Sequence, residues 1–267
     1  MKIRVSVDKD KCTKCGLCIK DCVTSSLVYD NEGIPSYVKE NNRCNGCQHC
    51  MAVCPAGAVS FDNLNPDDSE PVEYGNSAKI LRLMKSRRSI RLFKDESLTK
   101  DSFEKIREML AYTPTGDNVD SLHFSIVGSK EKMELIRQVT YEKIMKMTDD
   151  VPILKFIQHS WKNGQDIIYR GSTSMIAVCV NRANVIPGCE MADPIIALSY
   201  LELYAWSLGL GTCWCDMAWS LIKQIPEVYS LLEVPKGYDL GYIMLLGYPA
   251  IKYQRVVQKE LSNIRLI

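Results

Sequence analysis

Hydrophobic residues in the second part of the chain recur every three or four positions, which is the period of an amphipathic helix. In 102–111, for example, Phe103, Ile106 and Leu110 would share one helical face. Helices that alternate with a few strands indicate an α+β or α/β domain, which we assign to residues 78–267. The predicted helices are 78–86, 102–111, 130–147, 152–162, 194–208 and, as more than one helix, 219–232. The predicted strands are 122–127, 175–180, 211–215 and 240–247.

The stretch 194–208 is the most apolar of the predicted helices. Asp193 and Pro194 form a typical helix start, with a capping carboxylate before a proline in the first turn, and Gly209 is a typical end. A helix of this length extends about 22 Å, which is less than the ~30 Å hydrocarbon core of a bilayer. The stretch therefore predicts a helix buried in a protein core and not a membrane span.

Residues 1–62 are predicted to form a separate small domain. It would hold strands over 2–7, 26–30 and 36–39, with a half-turn helix after each of two cysteine triplets. Residues 63–77 are polar, contain two prolines and a glycine, and are predicted to be a linker. A domain this small has a thin hydrophobic core, so bound metal is expected to stabilise it.

Cysteine spacing in the small domain indicates which metal it binds. The pattern C-x2-C-x2-C-x3-C occurs twice, as in ferredoxins with two cubane iron–sulfur clusters. Zinc sites favour paired C-x2-C knuckles, and disulfide frameworks suit short secreted chains, so both alternatives fit less well. In two-cluster ferredoxins the fourth cysteine of each run serves the other cluster. The predicted ligands are Cys12, Cys15, Cys18 and Cys54 for one [4Fe-4S] cluster, and Cys44, Cys47, Cys50 and Cys22 for the other.

Composition and charge restrict the expected partners. The chain has 267 residues, of which 46% are hydrophobic and 24% charged, and its net charge is +1. These values are ordinary for a globular protein and give no electrostatic reason to expect nucleic acid or a membrane surface as a partner. The N-terminus lacks the apolar core of a secretory signal, and cluster thiolates favour a reducing compartment. We therefore expect a cytoplasmic protein.

Three arginines surround a hydroxyl in Arg87-Arg88-Ser89-Ile90-Arg91, at the end of the first helix of the larger domain. Guanidinium groups in a turn can bind a phosphate or a carbonyl-rich ring. A solvated basic helix end, where cations are favoured, explains the same residues. The local pattern alone favours this second explanation.

Four segments taken together resemble the motifs of the nitroreductase family of FMN flavoproteins. They are 87–93, 113–118, 208–214 and 246–249, in the order and spacing of that family. The resemblance covers residues 78–267. With the cysteine runs included, the whole chain resembles a ferredoxin–nitroreductase fusion.

The resemblance implies a three-layer α+β flavin fold that follows a small bacterial-type ferredoxin domain and forms an intertwined homodimer. FMN would lie at the dimer interface. The arginine segment would hold its ribityl chain, phosphate and carbonyl edge, and Asn118 would reach it from the opposite protomer. The strand before Asp216 would line the ring, with a backbone amide facing N5, and the C-terminal arm would close on the phosphate. The implied FMN-binding residues are Arg87, Arg88, Ser89, Arg91, Thr115, Asn118, Cys213, Trp214, Cys215, Asp216 and Arg255.

Two features of this site stay open at the level of sequence. Cys213 and Cys215 alternate along a strand, so either a redox dithiol or burial on one face of the sheet explains them, and we favour burial. Asp120 and Leu122 stand where the family often has glutamine and tryptophan. The substrate side of the pocket is therefore less predictable than the flavin side.

The combination of cofactors predicts an electron-transferring enzyme. Iron–sulfur clusters carry single electrons, whereas a flavin converts between one-electron and two-electron chemistry. We expect the clusters to feed FMN, and FMN to reduce a nitroaromatic, a quinone or another conjugated acceptor by hydride transfer from N5. The alternatives are a flavin dehydrogenase that exports electrons through the clusters and a non-catalytic electron-transfer or redox-sensing protein. NAD(P)H and an external ferredoxin are the candidate donors, and Tyr112 is the candidate proton source.

Overall fold

The computed structural model describes residues 4–38, 43–148, 150–260, 264, 265 and 267. The chain divides into two compact units, Met1–Tyr74 and Gly75–Ile267, which we describe separately. The segment 63–77 is not entirely irregular, because a 3-10 turn occupies Pro66–Asp68 and a helix begins at Ser77.

Among its described residues, the smaller unit contains two antiparallel strand pairs and two one-turn α-helices. Its first strand pairs with its last one, which ends at Phe61. The last strand is absent from the sequence prediction, whereas the other three are present in it. Residues 2, 3 and 39 of the predicted strands lie outside the described residues. The elements are β1 (Val5–Val7), α1 (Leu17–Lys20), β2 (Leu27–Tyr29), β3 (Pro35–Tyr37), α2 (His49–Ala52) and β4 (Val59–Phe61).

The two one-turn helices begin earlier than the sequence predicts. Each starts one residue before the third cysteine of its triplet, so Cys18 and Cys50 lie inside the helices rather than before them. The backbone that precedes each helix is left-handed, at Gly16 and at Gln48. Each triplet thus turns tightly before its helix begins.

The larger unit is built on a four-stranded antiparallel sheet with the strand order β5-β6-β8-β7. The predicted strands are all present, and they differ from the observed ones by at most two residues at an end. The elements are α3 (Ser77–Ser86), α4 (Lys100–Ala111), β5 (Leu122–Val127), α5 (Lys130–Ile144), α6 (Pro152–Lys162), β6 (Ser174–Asn181), α7 (Cys189–Ser207), β7 (Gly211–Trp214), α8 (Asp216–Ile222), α9 (Pro226–Leu231) and β8 (Tyr238–Gly247).

Helices cover both faces of this sheet. One hydrophobic core joins the sheet to α5, α6, α8 and α9, and includes Ile136, Ile157 and Ile222. A second core joins the opposite face to α4 and α7, and includes Ile106 and Leu198. Because the side chains of a strand alternate between faces, each strand contributes to both cores. The unit is therefore a three-layer α+β fold, as predicted.

Helix α7 differs from its prediction at its start and in its burial. It begins at Cys189, so Pro194 lies inside it and Asp193 is not its N-cap. The Asp193 carboxylate is buried and accepts hydrogen bonds from a neighbouring loop instead. Only one face of the helix is buried, while Ile196 and Tyr200 on the other are exposed. Within the described ranges, no helix is long and apolar enough to cross a bilayer.

Candidate functional site

The two cysteine triplets of the smaller unit have the same backbone geometry. The residues on either side of the middle cysteine are left-handed in both: Lys14 and Gly16 in the first, Gly46 and Gln48 in the second. Glycine occupies a different one of these positions in each triplet. At Gly46 a side chain would also collide with the Arg4 guanidinium, 2.8 Å from the position of a Cβ. The repeated cysteine pattern thus produces a repeated loop structure.

Each triplet has the fourth cysteine of the other run as a neighbour. Burial, followed by the thiolates of Cys44, Cys47 and Cys22, raises the pKa of Cys50 to about 11. Burial also raises the pKa of Cys18, and there the contributing thiolates are those of Cys54 and Cys12. The fourth cysteine of each run therefore influences a thiol of the other triplet, and crossed ligation stays a prediction.

Backbone amides of the smaller unit donate hydrogen bonds to several of these sulfurs. Ser26 N lies 3.3 Å from Cys22 Sγ, and Ala58 N lies 3.3 Å from Cys54 Sγ. Such hydrogen bonds stabilise thiolate ligands and adjust the potential of an iron–sulfur cluster. Within the described residues, no three His, Cys, Asp or Glu side chains converge as a site for one metal ion. The donor set is one of soft thiolates with amide support, which suits iron–sulfur clusters.

In the larger unit, the arginine segment runs from the end of α3 onto the edge of the sheet. Ser89 forms a parallel bridge with Thr212 of β7, and Ile90 N donates to the Thr212 carbonyl at 2.8 Å. Ile90 is completely buried, so it anchors the segment while the side chains around it stay outside the core. This arrangement brings Ser89 next to the predicted flavin strand.

The first arginine of the segment is held by a carboxylate from α7. Arg87 Nε lies 3.3 Å from Glu202 Oε2, and Arg87 Nη1 lies 3.4 Å from Glu202 Oε1. Two parallel contacts of this kind fix the plane of a guanidinium group. Glu202 is a buried carboxylate that the sequence analysis did not identify. It is the only charged residue between Ile195 and Leu210, and an isolated charge in an apolar helix is the signal that would have identified it.

The second arginine provides a group suited to an anion. Arg88 Nη2 is buried and has no hydrogen-bond partner within the described residues. Beside it is a cleft of about 740 Å³ between the end of α3 and residues 256–260 of the C-terminal arm. Arg255 is exposed at the start of that arm segment. A buried guanidinium nitrogen without a partner at a cleft fits a phosphate group.

Thr115 and Asn118 lie on a loop that α7 holds in place. The Asp193 carboxylate accepts hydrogen bonds from Gly116 N, at 3.1 and 3.2 Å, and from Ser121 Oγ at 3.2 Å. Asn118 has a left-handed backbone, with φ 54°. Asp193, predicted to cap the helix, thus has a different role that depends on tertiary contacts and could not be read from its sequence position.

The same loop lies away from the arginine cleft. Thr115 lines a separate groove of about 460 Å³ with residues of α4 and β5, and neither residue lines the cleft beside Arg88. The structure of one chain therefore does not bring the two predicted parts of the FMN site together. Tyr112, the candidate proton source, is 80% exposed at the end of α4.

The strand β7 and the start of α8 complete the candidate site. Cys213 and Cys215 are buried in the core formed with α5, α6, α8 and α9. Trp214 points to the opposite face, where its ring packs edge-on against Tyr242 at 5.5 Å. The three side chains therefore do not share one surface, because neighbouring residues of a strand alternate. A flavin ring along this strand would contact its backbone and one of its faces.

The two thiols have the properties of packed core residues. Burial raises the pKa of Cys215 to about 12, and it also raises that of Cys213, partly offset by the guanidinium groups of Arg170 and Arg91. A thiol with a raised pKa carries little thiolate at neutral pH. This agrees with burial rather than a redox dithiol. Arg170 is a further residue that the sequence analysis did not identify.

Asp216 is the first residue of α8, is exposed, and lines a groove. The groove has a volume of about 450 Å³ and runs between α6 and α8. Its apolar lining includes Ile157, Met147 and Met217, and Gln224 is among its polar residues. An apolar groove next to the predicted flavin strand is a candidate substrate site.

Comparisons with known families agree with the description of the larger unit and with that of the smaller unit. Residues 84–248 match the model of the nitroreductase family, and residues 4–58 match that of the 4Fe-4S dicluster domain. A relative from Methanothermobacter thermautotrophicus, with the provisional name NADH dehydrogenase/NAD(P)H nitroreductase, is 26% identical over 171 residues. The match covers 64% of this chain and 78% of the relative. A ferredoxin of Methanocaldococcus jannaschii is 28% identical over 67 residues, which is 25% of this chain and 87% of the ferredoxin.

Solved structures share the fold of the larger unit. A nitroreductase with bound FMN from Bacteroides fragilis has a TM-score of 0.60 and 24% identity, and it covers 72% of this chain and 100% of its own. The expected ferredoxin–nitroreductase architecture is therefore confirmed, and with it the assignment of the chain as an oxidoreductase. Because its model spans more than half of the sequence, the chain belongs to the nitroreductase family, and it carries a 4Fe-4S dicluster domain in residues 4–58.

Proposed function

We propose that this protein is an FMN-dependent oxidoreductase in which two [4Fe-4S] clusters deliver electrons to FMN, and FMN reduces a small organic acceptor. The observation that carries the proposal is the cleft beside the buried, unpartnered nitrogen of Arg88, within a nitroreductase-family chain that also contains paired cysteine triplets. When bound, FMN exchanges single electrons with clusters and hydride with organic molecules.

Different residues of this chain bind different parts of FMN. Arg88 binds the phosphate at the cleft, and Arg255 closes on it from the C-terminal arm. Glu202 fixes the guanidinium plane of Arg87, so this group meets the cofactor already oriented. Ser89 and the backbone of β7 face the ring, where Arg91 supplies positive charge.

The acceptor binds in the groove between α6 and α8. Its apolar walls favour a flat, uncharged and conjugated molecule such as a nitroaromatic or a quinone. The carboxylate of Asp216, which lines the groove, disfavours anionic acceptors. The two methionines adapt to acceptors of different shape, because their side chains are unbranched and flexible.

A second copy of the chain completes the site. Thr115 and Asn118 lie away from the arginine cleft of their own chain, so they serve the FMN of the partner. Apolar side chains are exposed on α3 (Ile80, Leu81) and on α7 (Ile196, Tyr200), and a homodimer would cover them. Cluster thiolates require reducing conditions, so we place the dimer in the cytoplasm.

NAD(P)H and an external ferredoxin are the donors to compare. The name of the Methanothermobacter relative mentions NAD(P)H. If electrons enter through the clusters, a one-electron donor such as ferredoxin is favoured, because each cluster carries single electrons. We propose that electrons flow from the clusters to FMN and then to the acceptor.

Anaerobic purification followed by analysis and turnover tests the proposal. We expect about eight irons, eight sulfides and one FMN per chain. We also expect turnover of nitroaromatics or quinones with reduced ferredoxin or NAD(P)H as donor. Protein without FMN would contradict the cofactor assignment. Bound FMN without turnover of any acceptor would contradict the enzyme assignment and favour an electron carrier.

A further inference from the structure

The two cysteine triplets of the smaller unit differ in the side chain that packs against each of them. In both, a glycine next to the middle cysteine leaves room for a polar group. At Gly46 of the second triplet this group is the Arg4 guanidinium, whose Nη2 lies 2.8 Å from the position of a Cβ. At Gly16 of the first triplet it is the hydroxyl of Tyr29. A permanent positive charge therefore lies against one triplet and a phenol against the other.

The guanidinium of Arg4 is held from three directions. Nη1 donates a hydrogen bond to the Cys44 carbonyl at 3.0 Å, and Nε and Nη2 lie 3.3 and 3.2 Å from Asp62 Oδ2. The ring of Phe61 lies beside it, with 4.7 Å between Arg4 Cζ and the ring centroid. Asp62 N also donates to the Arg4 carbonyl at 2.7 Å, next to the paired strands β1 and β4. The positive charge is therefore fixed beside the second triplet.

The lysines around the first triplet are not held against its backbone in this way. Lys14 Nζ donates to the Glu32 carbonyl at 2.9 Å, and Lys11 Nζ lies 3.3 Å from Asp67 Oδ2. Both lysines are exposed, so water and salt screen their charges. Arg4 is half-buried and contacts the loop of the second triplet directly. Its charge is therefore expected to act on one cluster more than on the other.

We propose that Arg4 raises the reduction potential of the [4Fe-4S] cluster at the second triplet. Reduction adds one negative charge to a cluster, and a fixed cation beside a ligand residue stabilises that charge. Transfer of one electron from the first cluster, which is oxidised, to the second, which is reduced, is thereby favoured. The inference rests on the cluster part of the proposed function and requires neither FMN nor an acceptor.

Substitutions in the full-length holoprotein separate the charge of Arg4 from its packing. Arg4→Gln removes the charge but keeps an amide that can donate to the Cys44 carbonyl, and Arg4→Lys retains the charge. Asp62→Asn removes the carboxylate that offsets this charge, and asparagine tolerates the left-handed backbone of that position, where φ is 45°. Lys9→Gln, in an exposed pair with Glu32, changes the net charge as much as Arg4→Gln does and is the control.

The measurement is an anaerobic redox titration of the two clusters. EPR of the reduced clusters gives both potentials, and the hyperfine-shifted NMR signals of the cysteine β-protons identify the cluster to which each belongs. Arg4→Gln should lose about tenfold in preference for the reduced second cluster, which lowers its potential by about 59 mV for a one-electron couple. Arg4→Lys should lower it less, and Asp62→Asn should raise it. The potential of the first cluster, and both potentials of the control, should not change.

The outcomes distinguish this inference from the proposed function. If Arg4→Gln retains about eight irons and both potentials are unchanged, the inference is wrong while the cluster assignment stands. An equal decrease at both clusters also overturns it, because the charge would then not act locally. If Arg4→Gln fails to assemble its clusters, Asp62→Asn decides: a raised potential at the second cluster supports the inference, and an unchanged or lowered one overturns it. Natural protein without iron would refute the proposed function itself.

Discussion

Replacing Asp166 with asparagine tests whether one carboxylate fixes the turn that carries Arg170. The side chain of Asp166 is 14% exposed and accepts four hydrogen bonds, which come from Tyr141 OH, Tyr169 N, Arg137 Nε and Gly171 N. Asparagine has the same shape, but one of its two oxygens becomes an NH2 group that cannot accept. Whichever way the amide is turned, it faces two groups that donate hydrogen bonds to the natural carboxylate.

The less costly orientation turns the NH2 group towards Tyr141 and Tyr169. The Tyr141 hydroxyl can rotate to accept, but Tyr169 N then loses its partner, which costs about 1–3 kcal/mol for a buried donor. The contact with Arg137 loses its charge assistance, which adds about 1 kcal/mol. The expected destabilisation is therefore about 3 kcal/mol. For a unit of this size, that corresponds to a decrease in Tm of about 6–12 °C.

Thermal unfolding followed by tryptophan fluorescence measures this change. Trp161 stacks on Tyr141 with 3.8 Å between the ring centroids, so it reports on the altered site. Asp239→Asn is the matched control, because its pair with Arg182 is 3.7 Å long and exposed, and such pairs contribute little. If Asp166→Asn melts within about 2 °C of this control, the carboxylate does not fix the turn and the reasoning is refuted.

Three other predictions concern the clusters, the FMN site and the thiols. Crossed ligation predicts that Cys15→Ser with Cys54→Ser removes about four irons per chain, whereas Cys47→Ser with Cys54→Ser removes about eight. Equal losses in an iron assay would contradict it. Glu202→Gln should weaken FMN binding about 5–30-fold, measured by calorimetry on apoprotein, because a loss of orientation costs about 1–2 kcal/mol; a change below about twofold would argue against that role. Burial raises the pKa of Cys215 to about 12, so its thiolate fraction rises only at strongly alkaline pH. Alkylation at pH 8 should therefore be far slower in folded than in denatured protein, and equal labelling by mass spectrometry would contradict this.

Local patterns were sufficient to predict most of the elements of the larger unit. The 3.6-residue period gives α6 at the observed bounds, and short apolar runs give β5 at its observed bounds. The start of α7 was predicted wrongly because Asp193 followed by Pro194 has the pattern of a helix start. The carboxylate is instead buried against Gly116 and Ser121, residues far away in the sequence. A contact of that kind leaves no local signal.

The candidate site was predictable only where its residues stand in motifs. The cysteine runs and the arginine segment were recognised in this way. Glu202 and Arg170 were not, since only the fold brings Glu202 to Arg87 and the charge of Arg170 towards Cys213. The exposed half of α7 was also missed, because its sequence is apolar on every side and does not reveal which face a single chain buries.

The route of electrons is the central claim, and stopped-flow reduction of FMN tests it most directly. Reduced ferredoxin is mixed anaerobically with the natural protein, with Cys47→Ser, and with Cys189→Ser as a control outside the cluster runs. The account predicts rapid reduction of FMN in the natural protein and the control. It predicts a rate at least about tenfold lower in Cys47→Ser, because that cluster is lost. Equal rates in all three proteins would mean that electrons reach FMN without the clusters, which would contradict the account.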